Sequence, residues 1–347
     1  MMRLRLKRFW VQWTNWEYWP IWLSNLPIMG FYLWYAAKAR HLLFFSAANP
    51  VIPLGGAMGE SKFDILRRIP PEILPKMLFV PAGTLFESVL YDLQALGLIF
   101  PLIAKPDVGE RGFLVKKIAA PAELRQHLAR YPVDFILQTF VDLPFEATVL
   151  YHLFPGDDSR FRITSVCIKE FLQVVGDGRQ NLRELILDSP RAAFQLERLE
   201  GEASVDLNSI LPAGQVLPLG AIGNHCLGTK FLNGNHLIDD RLERVFEPLC
   251  RRTEGIYYGR FDLKSEGIEA LKNGRFQVME LNGVLGEPAH VYDPTMGAWR
   301  AYRDFRRHWR FIFEVSQANR RRGIPVATLQ EAWAMVRRYF AYKKQLV

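Results

Sequence analysis

Cysteine is scarce in this chain: Cys167, Cys226 and Cys250 are the only three in 347 residues, and no two form a CxxC pair. That spacing excludes a disulfide framework and a structural zinc site, and it fits a reducing compartment. A Walker-type phosphate loop is missing as well. The run G-G-A-M-G-E-S-K at 55–62 places its lysine after the serine, with the wrong glycine spacing. There is no dinucleotide fingerprint, no internal repeat and no nucleic-acid-binding motif. No Ser/His/Asp or Cys/His set suggests a nucleophilic enzyme.

Acidic residues are few at the two ends. Arg3, Arg5, Lys7 and Arg8 open the chain, and residues 300–347 hold twelve Lys/Arg against Asp304, Glu314 and Glu331. The net charge of +8 therefore sits at the ends, around a middle that is close to neutral. Such ends face either an anionic surface or plain solvent. Without a nucleic-acid motif, the anionic surface to expect is membrane lipid and not nucleic acid.

Charge of either sign is absent from Tyr18 to Ala37, while six of the nine tryptophans (Trp10, Trp13, Trp16, Trp19, Trp22 and Trp34) fall in the first 45 residues. Pro20 and Pro27 interrupt the apolar run, and tryptophan favours the headgroup layer over the hydrocarbon centre. Three readings stand open: a membrane-interface anchor over residues 1–45, an aromatic core packed on the rest of the chain, and a spanning helix.

What is present from residue 76 onward is an alternation of strands and helices. Apolar strands are expected at Leu102–Lys105, Leu114–Ile118, Phe135–Phe140, Glu146–Phe154, Phe161–Glu170, Tyr257–Leu263 and Phe276–Leu281. Helices are expected at Phe63–Ile69, Pro121–Tyr131, Leu182–Leu187 and Arg241–Glu254, with a helical, basic end after Pro294. The fold class is α+β, antiparallel in the middle. The expected division is an aromatic-rich segment over 1–75, a central domain over 76–296 and basic helices over 297–347.

Chemistry-bearing residues cluster at strand ends. In G-R-F-D-L at 259–263 and F-Q-V-M-E-L-N-G at 276–283, Asp262 lies on one strand, and Glu280 and Asn282 lie two apart on the other. Residues two apart on a strand share a face. Two carboxylates and an amide oxygen suit Mg²⁺ held jointly with phosphates. A hairpin with a charged solvent face would read the same way. Lys105 ends an apolar strand before a loop with Gly109 and Gly112, a place for a point charge and backbone N–H groups to meet a polyphosphate. Lys169 lies in a largely apolar strand and needs an anionic partner or a route to water. The stretch L-Q-T-F-V-D-L-P-F-E at 137–146 offers a connector for an adenine edge, with Glu146 placed to accept ribose hydroxyls. Gly59, Ser61 and Lys62 are placed either to hold a substrate carboxylate or phosphate or simply to make a tight turn. Asn224, His225, Lys230 and Asn233 lie in a Gly-rich stretch with no role assigned.

Taken in order, these segments resemble the ATP-grasp superfamily over roughly residues 76–296, with D-alanine–D-alanine ligases and glutathione synthetases as the similar branches. The resemblance implies two α+β lobes sandwiching ATP. It implies that Lys105, Lys169, Gly109 and Gly112 hold phosphates, and that Gln138, Phe140 and Glu146 hold the nucleoside. It implies that Asp262, Glu280 and Asn282 hold Mg²⁺, and that Arg260 and Lys169 act in catalysis. Thr139 stands where the family's connector has Glu, and a full α/β domain before the ATP lobes is replaced here by about 75 residues. The implied activity is ligation of a small-molecule carboxylate to an amine, or to a thiol, through an acyl-phosphate. A kinase on the same fold and a non-catalytic nucleotide-binding module remain alternatives. The expected location is the cytoplasm, peripheral to the inner face of a membrane.

Overall fold

The computed structural model describes residues 11–109, 112–157, 160–201, 205–220, 223 and 228–344. Arg3, Arg5, Lys7, Arg8, Trp10, Glu110, Arg111, Asn224, His225 and Cys226 lie outside the described residues.

Two antiparallel sheets form the middle of the chain. The smaller has the order β1-β4-β2-β3, from β1 (Met77–Val80), β2 (Leu102–Pro106), β3 (Lys116–Ile118) and β4 (Phe135–Thr139). Helices α3 (Phe86–Ala95) and α4 (Pro121–Arg130) cover one of its faces, burying Val89, Leu93 and Leu124 against Leu102, Ala104 and Leu137. The larger has the order β11-β10-β5-β6-β9, from β5 (Phe145–Leu153), β6 (Phe161–Glu170), β9 (Lys230–Asn233), β10 (Tyr258–Ser265) and β11 (Phe276–Asn282). The chain passes from one sheet to the other through residues 140–144, so the expected connector is the link between lobes. A ribbon of β7 (Gln173–Val175) and β8 (Val216–Pro218) carries the short helices α5 (Leu182–Asp188), α6 (Pro190–Ala193) and α7 (Leu196–Glu200) on a small core of their own.

Strand alternation divides the larger sheet into two faces. Ala147, Val149, Tyr151, Phe261 and Leu263 point into the main core. There they meet α8 (Asp240–Arg252), whose Leu242, Phe246 and Leu249 recur at helical spacing and whose N-cap Asp239 accepts from the Leu242 N–H at 2.9 Å. Short α9 (Ile268–Lys272) joins this layer through Leu271, and α2 (Lys62–Leu66) through Ile65 and Leu66. The opposite face is divided along the strands. Toward one end Leu150 and Tyr258 are sealed by α1 (Ile21–Ala39) and α10 (Ala298–Arg321), through Tyr35, Ala36, Ile312 and Val315. Toward the other end the same face carries Glu146, Thr148, Lys169, Asp262 and Glu280.

The N-terminal segment is part of this body. Asn49 is fully buried; its amide donates to the Gly55 and Tyr258 carbonyls at 3.0 and 2.8 Å, and its oxygen accepts from the Tyr257 and Tyr258 N–H groups. Trp16 is buried and stacks on Tyr292 at 5.2 Å, whereas Trp22 and Trp34 stay exposed. The aromatic-core reading therefore holds for part of residues 1–45. The spanning reading is corrected: among the described residues no helix is long and apolar enough to cross a membrane; α1 carries Ser24, Asn25 and Pro27 mid-helix and Lys38 in its last turn. The regions 1–75 and 297–347, expected as separate, pack on each other through their described residues along α1 and α10. A last helix, α11 (Leu329–Lys344), follows.

Candidate active site

Ladder register sets the site. Asp262 lies directly across from Glu280 on β11 and from Thr148 on β5; Arg260 lies across from Asn282; Lys264 lies across from Glu146; and Glu146 lies across from Lys169 on β6. Directly opposed residues share a face. One patch of sheet thus gathers Arg260, Asp262, Lys264, Glu280, Asn282, Glu146 and Lys169. A register shift between Asp262 and Leu263 sits in this patch, the kind of irregularity that re-aims side chains beside active sites.

The charges are largely buried and paired. Lys169 Nζ donates to Glu146 Oε1 at 2.8 Å and to Asp262 Oδ1 at 2.7 Å. Burial opposes its charge, but the two carboxylates outweigh burial and hold its pKa above the ordinary lysine value. For Asp262, burial pushes upward, yet Lys169 and Arg260 together keep the carboxyl below its usual range. Its second oxygen accepts from Asn282 Nδ2 at 3.0 Å and from Arg260 Nε at 3.4 Å. Arg260 also donates to the Glu287 carbonyl at 3.0 Å, and Glu287 accepts from the Tyr292 hydroxyl at 2.6 Å. Glu146 does not stand free for a ribose. It lies between Lys169 and Lys264 Nζ (3.8 Å), with Gly223 packed so close that a Cβ there would meet Glu146 Oε1 at 2.2 Å. Lys264, which spacing alone did not single out, follows the Asp262 alternation by two residues.

The smaller sheet contributes from above. Lys105 Nζ donates to Gln138 Oε1 at 3.0 Å and crosses to the Met279 carbonyl on β11 at 2.8 Å. Burial pulls its pKa down to about 8. Gln138 Nε2 is buried with no acceptor among the described residues, an unused donor beside Lys105. Phe140, at the connector, lies under Lys117 Nζ at 3.6 Å. Gly109 has φ 155, and its carbonyl accepts from Lys62 Nζ; Gly112 has φ 72, a left-handed turn that suits glycine.

Lys62 brings the 55–62 run into the site. The Phe63 N–H and Ser61 Oγ bond Asp107 Oδ1 at 2.8 and 3.0 Å, two residues beyond Lys105. At the other end Gly56 lies on Gly283: a Cβ on Gly283 would meet the Gly55 carbonyl oxygen at 2.4 Å and Gly56 Cα at 2.7 Å. Lys62 Nζ then reaches Glu280 Oε1 at 3.6 Å. The run is a strap joining the end of β11 to the loop after β2. By contrast, Lys230 lies across from Glu170 and pairs with it on the other face of the sheet from Lys169; Asn233 lies across from Cys167, on the Lys169 face, and its backbone N–H donates to Asp293.

The donor set fits Mg²⁺ on the chemistry of its atoms. Asp262 and Glu280 oppose each other in register, with the Asn282 amide beside them; these are hard oxygen donors on adjacent strands, the donor type that Mg²⁺ takes. Among the described residues no group of three His, Cys, Asp or Glu is placed to hold a metal alone.

One arrangement was not visible in the sequence. Ser165 Oγ lies 2.7 Å from His290 Nδ1, and His290 Nε2 lies 3.1 Å from Asp304 Oδ2. Ser165 and His290 are both buried, with nothing open beside the hydroxyl, so this chain of hydrogen bonds braces β6 to α10.

No family model matches the chain, and no curated protein matches it. Among solved structures it is similar to a VanG D-Ala:D-Ser ligase from Enterococcus faecalis, at 12% identity and a TM-score of 0.43, over 74% of this chain and 61% of that one. It is similar to a bifunctional glutathione synthetase from Pasteurella multocida at 14% identity and 0.39, over 72% and 35% of the two chains. It is similar to a D-alanine–D-alanine ligase from Bacillus anthracis at 14% and 0.40, over 76% and 68%. The chain thus spans about three-fifths of the first of these and about one-third of the second.

Proposed function

We propose that this chain binds ATP and Mg²⁺ between its two sheets and ligates a small-molecule carboxylate to an amine. The observation that carries the proposal is the convergence, on one buried patch, of Lys105 and Lys62 from one side with Asp262, Glu280, Asn282, Arg260 and Lys169 from the other. Excess cation opposite paired carboxylates is what a triphosphate with its metal requires. Gln138 Nε2 adds an unsatisfied donor in the same place.

Each side chain has a role in this reading. Lys105 and Lys62 neutralise phosphate oxygens as point charges, and Gly109 and Gly112 offer backbone N–H groups. Asp262, Glu280 and Asn282 hold Mg²⁺, which when bound supplies charge neutralisation across the phosphates. Lys169 keeps Asp262 ionised, and Glu146 holds Lys169 and Lys264 in place. The substrate carboxylate attacks the γ-phosphorus, the bond to the bridging oxygen breaks and ADP leaves. The amine then attacks the acyl carbon; phosphate leaves and the amine proton passes to solvent. Arg260, fixed by Asp262 and the Glu287 carbonyl, faces the negative charge that grows on the tetrahedral centre. Positioning and charge do the catalysis, so no nucleophilic side chain is needed. The domain reading follows: residues 76–296 as the ATP-binding domain, with the two ends folded onto it.

The test is a screen of carboxylate and amine pairs that reads ADP and phosphate together. Stoichiometric release of both supports the ligase. A stable phosphorylated product without free phosphate overturns it in favour of a kinase, and nucleotide binding with no turnover in any mixture overturns it in favour of a binding module. The reading includes a location: the cytoplasm, where ATP is, peripheral to the inner face of a membrane. The apolar helix α1 supports that location.

A further inference from the structure

Helix α1 is apolar on both sides, and only one side is covered. Tyr32 packs on Trp309 at 5.4 Å, Tyr35 packs on Phe313 at 5.3 Å, and the Ala39 carbonyl accepts from Arg320 at 2.9 Å. The partners advance together, so α1 and α10 run side by side in the same direction. On the outer side Trp22, Leu26, Met29 and Leu33 recur every three or four residues, with Trp34 beside Leu33, each at least 50% exposed. Trp299, near the start of α10, is 89% exposed. A helix that is apolar all round is ordinarily buried, and a contiguous apolar stripe in water marks an interaction surface.

Helix α10 lays cations along this stripe. Arg300, Arg303, Arg306, Arg307 and Arg310 are all exposed. Trp34 and Lys38 share a groove with Arg303, Arg306, Arg307 and Arg310. The acids nearby are already engaged: Glu314 by Arg310 at 2.6 Å and Arg160 at 3.5 Å, and Asp304 by His290 at 3.1 Å. Arg306 has no ion-pair partner among the described residues. No acid lies anywhere in α1.

We infer that this composite face docks on a bilayer rich in anionic phospholipid. Helix α1 lies in the plane of the interface, with Trp22, Leu26, Met29 and Leu33 at the boundary of headgroups and acyl chains and the α10 arginines on lipid phosphates. The inference rests on the peripheral location proposed above and deepens it by naming the lipid chemistry and the second element. It does not depend on the ligase reading. Charge argues for lipid over a second copy of the chain, because the copy presents the same cations and no acidic stripe on α1 or α10 to receive them.

The experiment is sedimentation of the full chain with phosphatidylcholine vesicles, with and without phosphatidylglycerol. Two exposed-residue variants are compared with the wild type: Trp22→Ser/Leu26→Ser/Leu33→Ser and Arg303→Ser/Arg306→Ser/Arg307→Ser. Unchanged melting temperature and nucleotide binding establish that both fold. Each basic side chain at an anionic surface is worth roughly fivefold in partition, so the arginine variant is expected to lose on the order of 100-fold on anionic vesicles. The apolar variant is expected to lose binding to both kinds of vesicle. Equal binding of wild type to neutral and anionic vesicles overturns the assignment to anionic lipid while leaving a peripheral location standing. No binding to either overturns both. A lipid-independent dimer that the apolar variant abolishes assigns the face to a second copy and also overturns the inference.

Discussion

Two surfaces of this protein were both signalled by unusual charge in the sequence, and the structure treats them in opposite ways. On the site face of the larger sheet, buried charges are paired: Lys169 lies opposite Glu146 in register and bonds both Glu146 and Asp262. On the outer face of α1 and α10, cations and bare apolar side chains stand side by side in water with hardly an acid among them. Buried charge must be matched within the fold or it costs several kcal/mol. Exposed charge is screened and need not be matched, so an excess of one sign along a surface is informative about what binds there.

The comparison can be broken most sharply at Lys169. Lys169→Met leaves Asp262 and Glu146 buried without their shared cation. It should cost about 3–5 kcal/mol in urea unfolding. A loss no larger than that of a surface lysine would mean that water reaches the patch freely. Glu280→Gln comes next. It removes one charge from the proposed metal donors at a half-exposed position, so the melting temperature should hold. ATP turnover should fall by about 100-fold or more. Wild-type turnover in this variant would remove Glu280 from the site.

Gly283→Ala tests the strap. The added Cβ meets backbone at 2.4 and 2.7 Å, atoms that cannot swing aside. Stability should drop by about 1–3 kcal/mol, and nucleotide affinity should drop with it as Lys62 is displaced from Glu280. An unchanged melting temperature would show that the strap is loosely held.

Lys105 gives a smaller, pH-dependent effect. Its folded pKa of about 8 lies below the ordinary 10.5, because burial disfavours its charge. Between these values the unfolded chain binds a proton that the folded chain has released. Lys105 therefore contributes stability that rises with pH across that window. Its hold on phosphate runs the other way and weakens as pH passes 8. Nucleotide affinity of the wild type should decline there, and Lys105→Arg, which stays charged, should flatten the decline. The smallest effect belongs to the outer face: Arg306→Ser should leave unfolding by urea unchanged within error, since the exposed side chain has no ion-pair partner among the described residues.

Much of the site was readable from local pattern. The strand Phe161–Glu170 was expected with the bounds it has, and the strands bearing Asp262 and Glu280 within a few residues. Period-two alternation places Glu280 and Asn282 on one face whatever the rest of the chain does. Glu146 was read from the same pattern but assigned to ribose; whether it faces a ligand or a lysine depends on the neighbour across the ladder, which alternation does not specify. Lys62 was named in the sequence only as one side of a choice between an anion site and a turn. Its reach to Glu280 exists because glycines at 56 and 283 let two distant backbones touch.

The sequence by itself determined the strands that carry the site residues, their facing residues, and the bias of positive charge toward the ends, because each depends on spacing over a few residues; the short strands at Met77–Val80, Gln173–Val175, Val216–Pro218 and Lys230–Asn233 were not signalled. Tertiary structure alone decided three things. It brought the two ends together as α1 and α10 over half of one sheet face. It buried Trp16 while leaving Trp22 and Trp34 outside. It closed Ser165, His290 and Asp304 into a brace with no opening to it. The physical reason is common to all three: each is set by which surfaces meet across long stretches of chain, and burial, unlike periodicity, is a property of the whole fold.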